Sequence, residues 1–300
     1  MEWFLAAGAL LAALLYARSE HEKRHFAVDT YEIRSEKLVA EERTFVFLSD
    51  LHNRCFGEDQ RELLEAVDRV KPDAVMIGGD LMITGKRKDE VNIKPALFLV
   101  KKLAEKYPVY YGSGNHESRM EWRKESFGSI ANEYWTELEK AGVKRVSGSN
   151  RYLIGSDISV AGLEIPEKCY KKRNPVYLKE GDIQRQLGEA DKERYQILLA
   201  HTPLMFEQYK NWNADLVLSG HIHGGTIRLP FLGGVMTPQF QFFYKYCGGM
   251  FSENGHTLIV SRGLGTHSVN IRFNNRAQLV VLKLCGRTPD QASDRLPGPA

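Results

Sequence analysis

The sequence predicts an α/β fold: a four-layer sandwich of two mixed β-sheets packed together and flanked by helices, with an N-terminal hydrophobic anchor helix. Three observations carry this. Between Arg43 and Gly142, short apolar runs alternate with amphipathic stretches, and from Lys144 onward strand-like runs come in pairs, a mixture that layered α/β architectures accommodate. The chain has 300 residues, enough for one sizeable core of mixed type. Several of the apolar runs end on an acid, an Asn or a His, and in open sheets sites form at the carboxyl ends of strands.

The elements follow in order. Trp3 to Ala17, "WFLAAGALLAALLYA", carries no charge. It is shorter than the about 20 apolar residues of a membrane span. It is also apolar all round and followed at once by "RSEHEKRH", unlike a helix of a globular core. A cleaved signal peptide is the rival reading, and no Lys or Arg precedes the run to support it. Residues 1–17 therefore read as an anchor or signal segment, and 18–26 as a solvated juxtamembrane linker. Residues 27–285 read as the folded domain, and 286–300 as a disordered Pro/Gly/polar tail. Arg18, Lys23 and Arg24 follow the apolar run, so the positive-inside rule places the domain on the cytoplasmic side.

Within the domain, 27–33 alternates as a strand and 43–50 is a strand ending at Asp50. Residues 58–70 space Leu63, Leu64, Val67 and Val70 as a helix, which Pro72 stops. A buried strand at 73–80 ends at Asp80. An amphipathic helix fills 94–107, and 109–117 is a strand running into a loop. Residues 129–142 are a helix stopped at Gly142. Strands are expected at 144–148, 151–155, 158–164, 194–201, 214–221, 256–265 and 278–284, with a short helix at 203–212.

Net charge is +3, so the chain as a whole is no evident nucleic-acid binder. Cys55, Cys169, Cys247 and Cys285 form no CxxC pair and read as free thiols rather than a zinc ribbon or disulfide framework.

The strand ends carry the chemistry. They deliver Asp50 and His52 ("DLH"), Asp80 ("GGD"), Asn115 and His116 ("GNHE"), His201 ("AHTP"), and His221 and His223 ("GHIHGG"). An Asp after a strand is commonly a cap or turn former, but five strand ends bearing such residues beside Gly or Pro are hard to assign to chance. The set holds carboxylates, imidazoles and an amide without a thiolate, which suits Mn, Fe or Zn better than Ca or a structural zinc. It is too large for one ion and sufficient for two divalent transition metal ions, and two-metal sites serve displacement at phosphorus.

The ordered motifs D-x-H, G-D, G-N-H-E, a separate His and G-H-x-H resemble those of the calcineurin-like metallophosphoesterases, over Phe45 to about Leu284. The ending "SRGLGTHSVNIRFNNRAQLVVLKL", with the apolar N-terminus, is similar to a bacterial membrane-associated branch. That branch includes phosphodiesterases and enzymes related to UDP-diacylglucosamine hydrolases. The resemblance implies that Asp50, His52 and His223 hold a first metal, that Asp80 bridges both, and that Asn115, His201 and His221 hold the second. It implies a metal-bridging hydroxide as nucleophile. It assigns no metal to His116, which would protonate the leaving alkoxide or stabilise it electrostatically. Glu117 would orient its loop or a histidine.

The implied function is phosphoester hydrolysis on a membrane-related, lipid-bearing or nucleotide-linked substrate. A nuclease or protein phosphatase of the same fold and a non-catalytic binding scaffold are the alternatives. Two basic runs, 84–90 and 167–175, read first as solvated faces; near the metals either could hold an anion. The stretch 231–251 concentrates Phe231, Phe240, Phe242, Phe243, Tyr244, Tyr246 and Phe251 directly after the metal histidines. It reads as a hydrophobic plug on the sheet or, alternatively, as an apolar groove for an acyl chain. Thr266, His267 and Arg272 are further candidates to touch phosphate.

Overall fold

The computed structural model describes residues 1–172, 174–266 and 269–286. The tail assigned to 286–300 lies outside that range from 287 onward, as do Arg173 and His267.

The strands, in chain order, are β1 (Phe26–Ser35), β2 (Arg43–Leu48), β3 (Ala74–Ile77), β4 (Val109–Tyr111), β5 (Lys144–Arg145), β6 (Tyr152–Ile154) and β7 (Ile158–Gly162). They continue with β8 (Tyr195–Leu199), β9 (Leu216–Ser219), β10 (Arg228–Leu229), β11 (Gly233–Gly234), β12 (Gly249–Glu253), β13 (His256–Val260) and β14 (Ala277–Gly286). They form one six-stranded sheet, β1-β14-β2-β3-β4-β5, a second, β12-β13-β9-β8-β7-β6, and a small ribbon, β10-β11. Both large sheets are mixed: β2, β3, β4 and β5 run parallel while β14 pairs antiparallel to β2, and β7, β8, β9 and β13 run parallel between two antiparallel edges.

Side-chain alternation sorts the sheets into layers. Along β2, Val46 and Leu48 join one core while Phe45 and Phe47 join another; along β3, Val75 and Ile77 part from Ala74 and Met76 in the same way. The shared core between the sheets takes Ile197 and Leu199 of β8, Leu216 and Leu218 of β9, and Val280 and Leu282 of β14. Leu198, Val217 and Leu258 face the opposite way. These strands are buried on both faces, which explains why they read as continuous apolar runs rather than alternating ones.

The helices are α1 (Glu2–Arg24), α2 (Arg61–Val70), α3 (Lys94–Ala104), α4 (Asn115–Trp122), α5 (Lys124–Phe127), α6 (Ile130–Lys140), α7 (Asp182–Leu187) and α8 (Phe206–Asn211). Leu63 and Val67 of α2, Leu99 and Leu103 of α3, and Tyr134 and Leu138 of α6 cover the first sheet. Ile183 and Leu187 of α7 and Phe206 and Tyr209 of α8 cover the second. The expected sandwich of two mixed sheets flanked by helices is therefore present.

The anchor is not. Among the described residues no helix is long and apolar enough to cross a membrane. The charge-free run of α1 would span only roughly 22 Å at 1.5 Å per residue, against a hydrocarbon core of about 30 Å, and half of it is Ala and Gly rather than large apolar side chains. The cytoplasmic placement of the domain, derived from that anchor, falls with it. The segment 18–26 also differs from a solvated linker. Residues 18–24 continue α1, and Ser19, Glu22 and Lys23 are buried. Ser19 Oγ accepts from Arg272 N (3.1 Å), Glu22 Oε2 accepts from Asn275 N (2.7 Å), and Lys23 Nζ donates to Asn270 O (3.2 Å).

Two truncations should therefore behave differently. Removing residues 1–16 is expected to leave thermal unfolding almost unchanged. Removing 1–24 strips three partly buried hydrogen bonds worth about 1 kcal/mol each, which lowers Tm by roughly 6–12 °C at the usual proportion for a domain of this size. Coincident melting curves for the two truncations would show that the last turns of α1 are not part of the fold.

Candidate metal centre

The parallel strands place their carboxyl ends along one edge of the sandwich, and the site is built from the turns that leave them. Asp50 and His52 follow β2, Asp80 follows β3, Asn115 and His116 open α4 after β4, His201 follows β8, and His221 and His223 follow β9. Asp50, His52, Asp80, His221 and His223 all have positive φ, between 48° and 66°. Non-glycine residues rarely adopt this conformation, and it concentrates where a site holds its backbone under strain.

Glycines make room for the turns. A Cβ on Gly220 would stand 2.1 Å from Asp50 Oδ2, and one on Gly114 would stand 2.3 Å from Asp80 Oδ1. These glycines admit the Asp50 and Asp80 carboxylates.

All eight sequence-predicted residues converge. His223 Nε2 lies 3.4 Å from Asp50 Oδ1 and 3.1 Å from His52 Nε2, and His201 Nε2 lies 3.1 Å from Asp80 Oδ2. Two donors bound at about 2.1 Å to one ion stand roughly 3–3.5 Å apart, so these separations fit a shared cation. Asp50, His52 and His223 form one such group, and Asp80, His201 and His221 a second. A third, His52, Asp80 and His116, brings His116 within ligand range as well. Asn115 Oδ1 is buried without a hydrogen-bond partner, and His201 Nε2 faces the Asp80 carboxylate at 3.1 Å outside hydrogen-bond geometry. Buried polar atoms are almost always satisfied, and a cation between the two carboxylates would satisfy both. The donor set and the orphaned atoms thus fit a divalent metal.

The electrostatics agree. Burial opposes the charge on Asp80, but His201, His116 and His52 outweigh it and hold the carboxyl well below the usual range. Burial also opposes protonation of His201, yet Asp80 and Asp50 beside it push the ring up to about 10. That cluster attracts positive charge at His201 Nε2, where a metal ion and a proton compete. Burial, then the neighbouring His201, pushes His221 well below the ordinary imidazole value and keeps it neutral.

The surrounding residues fix the loops. Glu117 accepts from the backbone N–H groups of Asp80 (2.8 Å), Leu81 (3.0 Å) and Gly114 (2.9 Å) and from the Tyr111 hydroxyl (2.8 Å). It ties the β3 turn to the start of α4. His201 Nδ1 donates to Gly78 O (2.6 Å), which leaves Nε2 for the site. His116 Nδ1 accepts from Thr84 N (2.8 Å), with Thr84 Oγ1 also at 2.8 Å, so a neutral ring carries its proton on Nε2. Asn275 Nδ2 donates to His223 O (2.7 Å). Arg272 donates to the carbonyls of Arg262, Gly263 and Gly265, and His223 Nδ1 approaches that same Gly265 carbonyl at 3.2 Å.

The cavity above these residues measures about 220 Å³ and is also lined by Lys172, Thr226, Met236, Phe240, Val269 and Ile271. The two basic runs separate. Arg87 and Lys88 pair with surface acids, whereas Lys172 reaches the cavity and sits 5.5 Å from the Phe240 ring. The aromatic stretch divides too. Tyr244, Tyr246 and Phe251 pack onto the second sheet's outer core as a plug. Phe231, Phe240, Phe242 and Phe243 stay exposed, and of these four only Phe240 lines the cavity. Thr266 and Arg272 line it as well. The supporting roles of Thr84 and Asn275 were missed because they come from contacts more than 30 residues away.

Comparison with known proteins identifies the family. The chain is 26% identical over 290 residues to the uncharacterized metallophosphoesterase YkuE of Bacillus subtilis (strain 168), covering 93% of each chain. It is 29% identical to a metallophosphoesterase of Aquifex aeolicus (strain VF5), covering 92% of this chain and 98% of that one. It is 23% identical to the phosphodiesterase YaeI of Escherichia coli (strain K12), covering 80% and 81%. The profile of the calcineurin-like phosphoesterases matches residues 43–225, the stretch that delivers Asp50 through His223, and the chain belongs to that family of metal-dependent phosphoester hydrolases.

Proposed function

We propose that the protein is a dinuclear phosphodiesterase or pyrophosphatase whose substrate carries an apolar group, as a lipid-linked or nucleotide-linked ester does. The observation that carries this is the asymmetric cavity: acids and imidazoles form its floor, and Met236, Pro238, Phe240, Val269 and Ile271 form an apolar wall beside it. Asp50, His52 and His223 would hold one ion and Asn115, His201 and His221 another, with Asp80 as the acid shared between the two groups. When bound, such a pair of ions lowers the pKa of coordinated water and stabilises charge on the oxygens around phosphorus. The chain's own residues orient the ester. Asp80 Oδ1 accepts from His116 N (2.8 Å), which holds the start of α4 beside that carboxylate, while Thr84 holds the His116 ring through Nδ1. Lys172 offers one cation for a second phosphate or a charged headgroup. A nuclease would need an extended basic track. Among the described lining residues the other cation, Arg272, is turned onto backbone carbonyls.

The test is Phe240→Ser assayed on two diesters, one small and soluble, one with a long acyl chain. A half-exposed ring that covers the chain contributes about 1.5 kcal/mol, so kcat/KM on the acylated diester is expected to fall roughly tenfold while the small diester is unaffected. Equal losses on both would remove the apolar wall from substrate recognition. The paired change Phe242→Ser and Phe243→Ser, both outside the cavity, serves as the control.

A further inference from the structure

Gln239 is buried at 2% exposure behind the cavity wall, and its amide meets His221. The contact joins Gln239 Nε2 to His221 Nε2 at 2.5 Å, while Gln239 Oε1 is buried with no partner. A carboxamide's O and N are nearly isosteric, and a half-turn of the group exchanges them. With the amide nitrogen toward the ring, two nitrogens meet and an oxygen is stranded; with the group turned, the oxygen accepts from the ring. A neutral imidazole has one N–H and one lone pair. With Nε2 occupied by the amide, Nδ1 is the nitrogen left to ligate, and it has a free lone pair only when Nε2 carries the hydrogen. The geometry points to Gln239 as a positioning residue for the second metal: its Oε1 accepts the Nε2–H of His221 and so fixes the tautomer that presents Nδ1 to the ion.

This ties the cavity wall to the metal. Gln239 lies between Pro238 and Phe240, both lining residues, and Thr237 beside them closes a tight turn by donating to Gln241 O (2.9 Å). Acceptors that orient ligating histidines change metal affinity by about 10–100-fold when removed. The inference rests on the reading that His221 holds a second ion.

The experiment is calorimetric titration of chelator-stripped protein with Mn²⁺ and with Zn²⁺, using wild type, Gln239→Leu and Gln239→Glu. Wild type is expected to show two sites. Gln239→Leu should weaken one of them about 10–100-fold and leave the other. Gln239→Glu keeps an acceptor oxygen and should recover affinity to within a few-fold of wild type, which a purely space-filling role would not require. Two wild-type-like sites in the Leu variant, or a Glu variant as weak as the Leu one, would overturn the role of Gln239. A single site in the wild type would overturn the dinuclear reading itself. Metal-free melting curves of the three proteins are expected to coincide; a Leu variant that unfolds early hands the decision to the Glu variant alone.

Discussion

Asp80→Asn is expected to reduce hydrolysis by about 10³-fold or more, since several kcal/mol of charge stabilisation at the reacting oxygens is lost, while the protein still folds. Asp80 is the acid shared by the two halves of the cluster: His201 stands 3.1 Å from its Oδ2 and His52 4.0 Å. Its other oxygen accepts from His116 N. Changing it to Ala would therefore remove the bridge and loosen His116 together. Asn keeps a carbonyl oxygen for that backbone N–H and removes only the charge and the second anionic donor. Asp80 sits in the turn after β3 and joins none of the three apolar cores, so cooperative unfolding should persist. Metal content by mass spectrometry and turnover on an aryl phosphodiester check the result together. Two retained ions with near-normal turnover would remove Asp80 from the bridging position.

The convergence of these residues was legible because its signal is local. Each acid or histidine follows an apolar run directly, and the strand order of the sheets only had to bring those ends to one edge. The positive φ of Asp50, His52, Asp80, His221 and His223 is the physical trace of that arrangement, and nothing in the residue types announces it. The start of α4 was only half written in the chain: Glu117 accepts from Gly114 N three residues before it, one side of a capping box, but Gly114 has no side chain to supply the other, so "GNHE" reads as loop.

Of what supports these residues, Glu117 was legible and most of the rest was not. Gln239 meets His221 across 18 residues, and Glu22 meets Asn275 across 253. Such contacts have no period and no motif. The N-terminal run misled for a related reason: hydropathy describes residues 3–17 well but is blind to Ser19, Glu22 and Lys23, which dock on the loop that braces the site. The aromatic stretch was ambiguous in sequence because it does two things, and only the packing separates Tyr244, Tyr246 and Phe251 from Phe240.

His116→Ala is expected to keep both ions and slow turnover by roughly 10²–10⁴-fold, the usual yield of a positioned proton donor. Thr84 N–H occupies the Nδ1 lone pair, so Nε2 is the nitrogen that carries the hydrogen in the neutral ring and is left to act as a donor. A hydrogen-bond donor there supports the departing oxygen most when that oxygen is a poor leaving group. The loss should accordingly be near the upper end for an alkyl ester and near the lower end for a nitrophenyl ester, whose anion needs little help. His116 also groups with His52 and Asp80 as a set able to hold an ion, which makes direct coordination the competing geometry. The two differ in what alanine removes. A ligand lost from the metal lowers ion content and slows both esters alike; a lost donor leaves the ions in place and steepens the dependence on the leaving group. Measuring metal content and the two rates on one preparation of His116→Ala separates them, and reduced metal with a flat leaving-group response would place His116 on the ion.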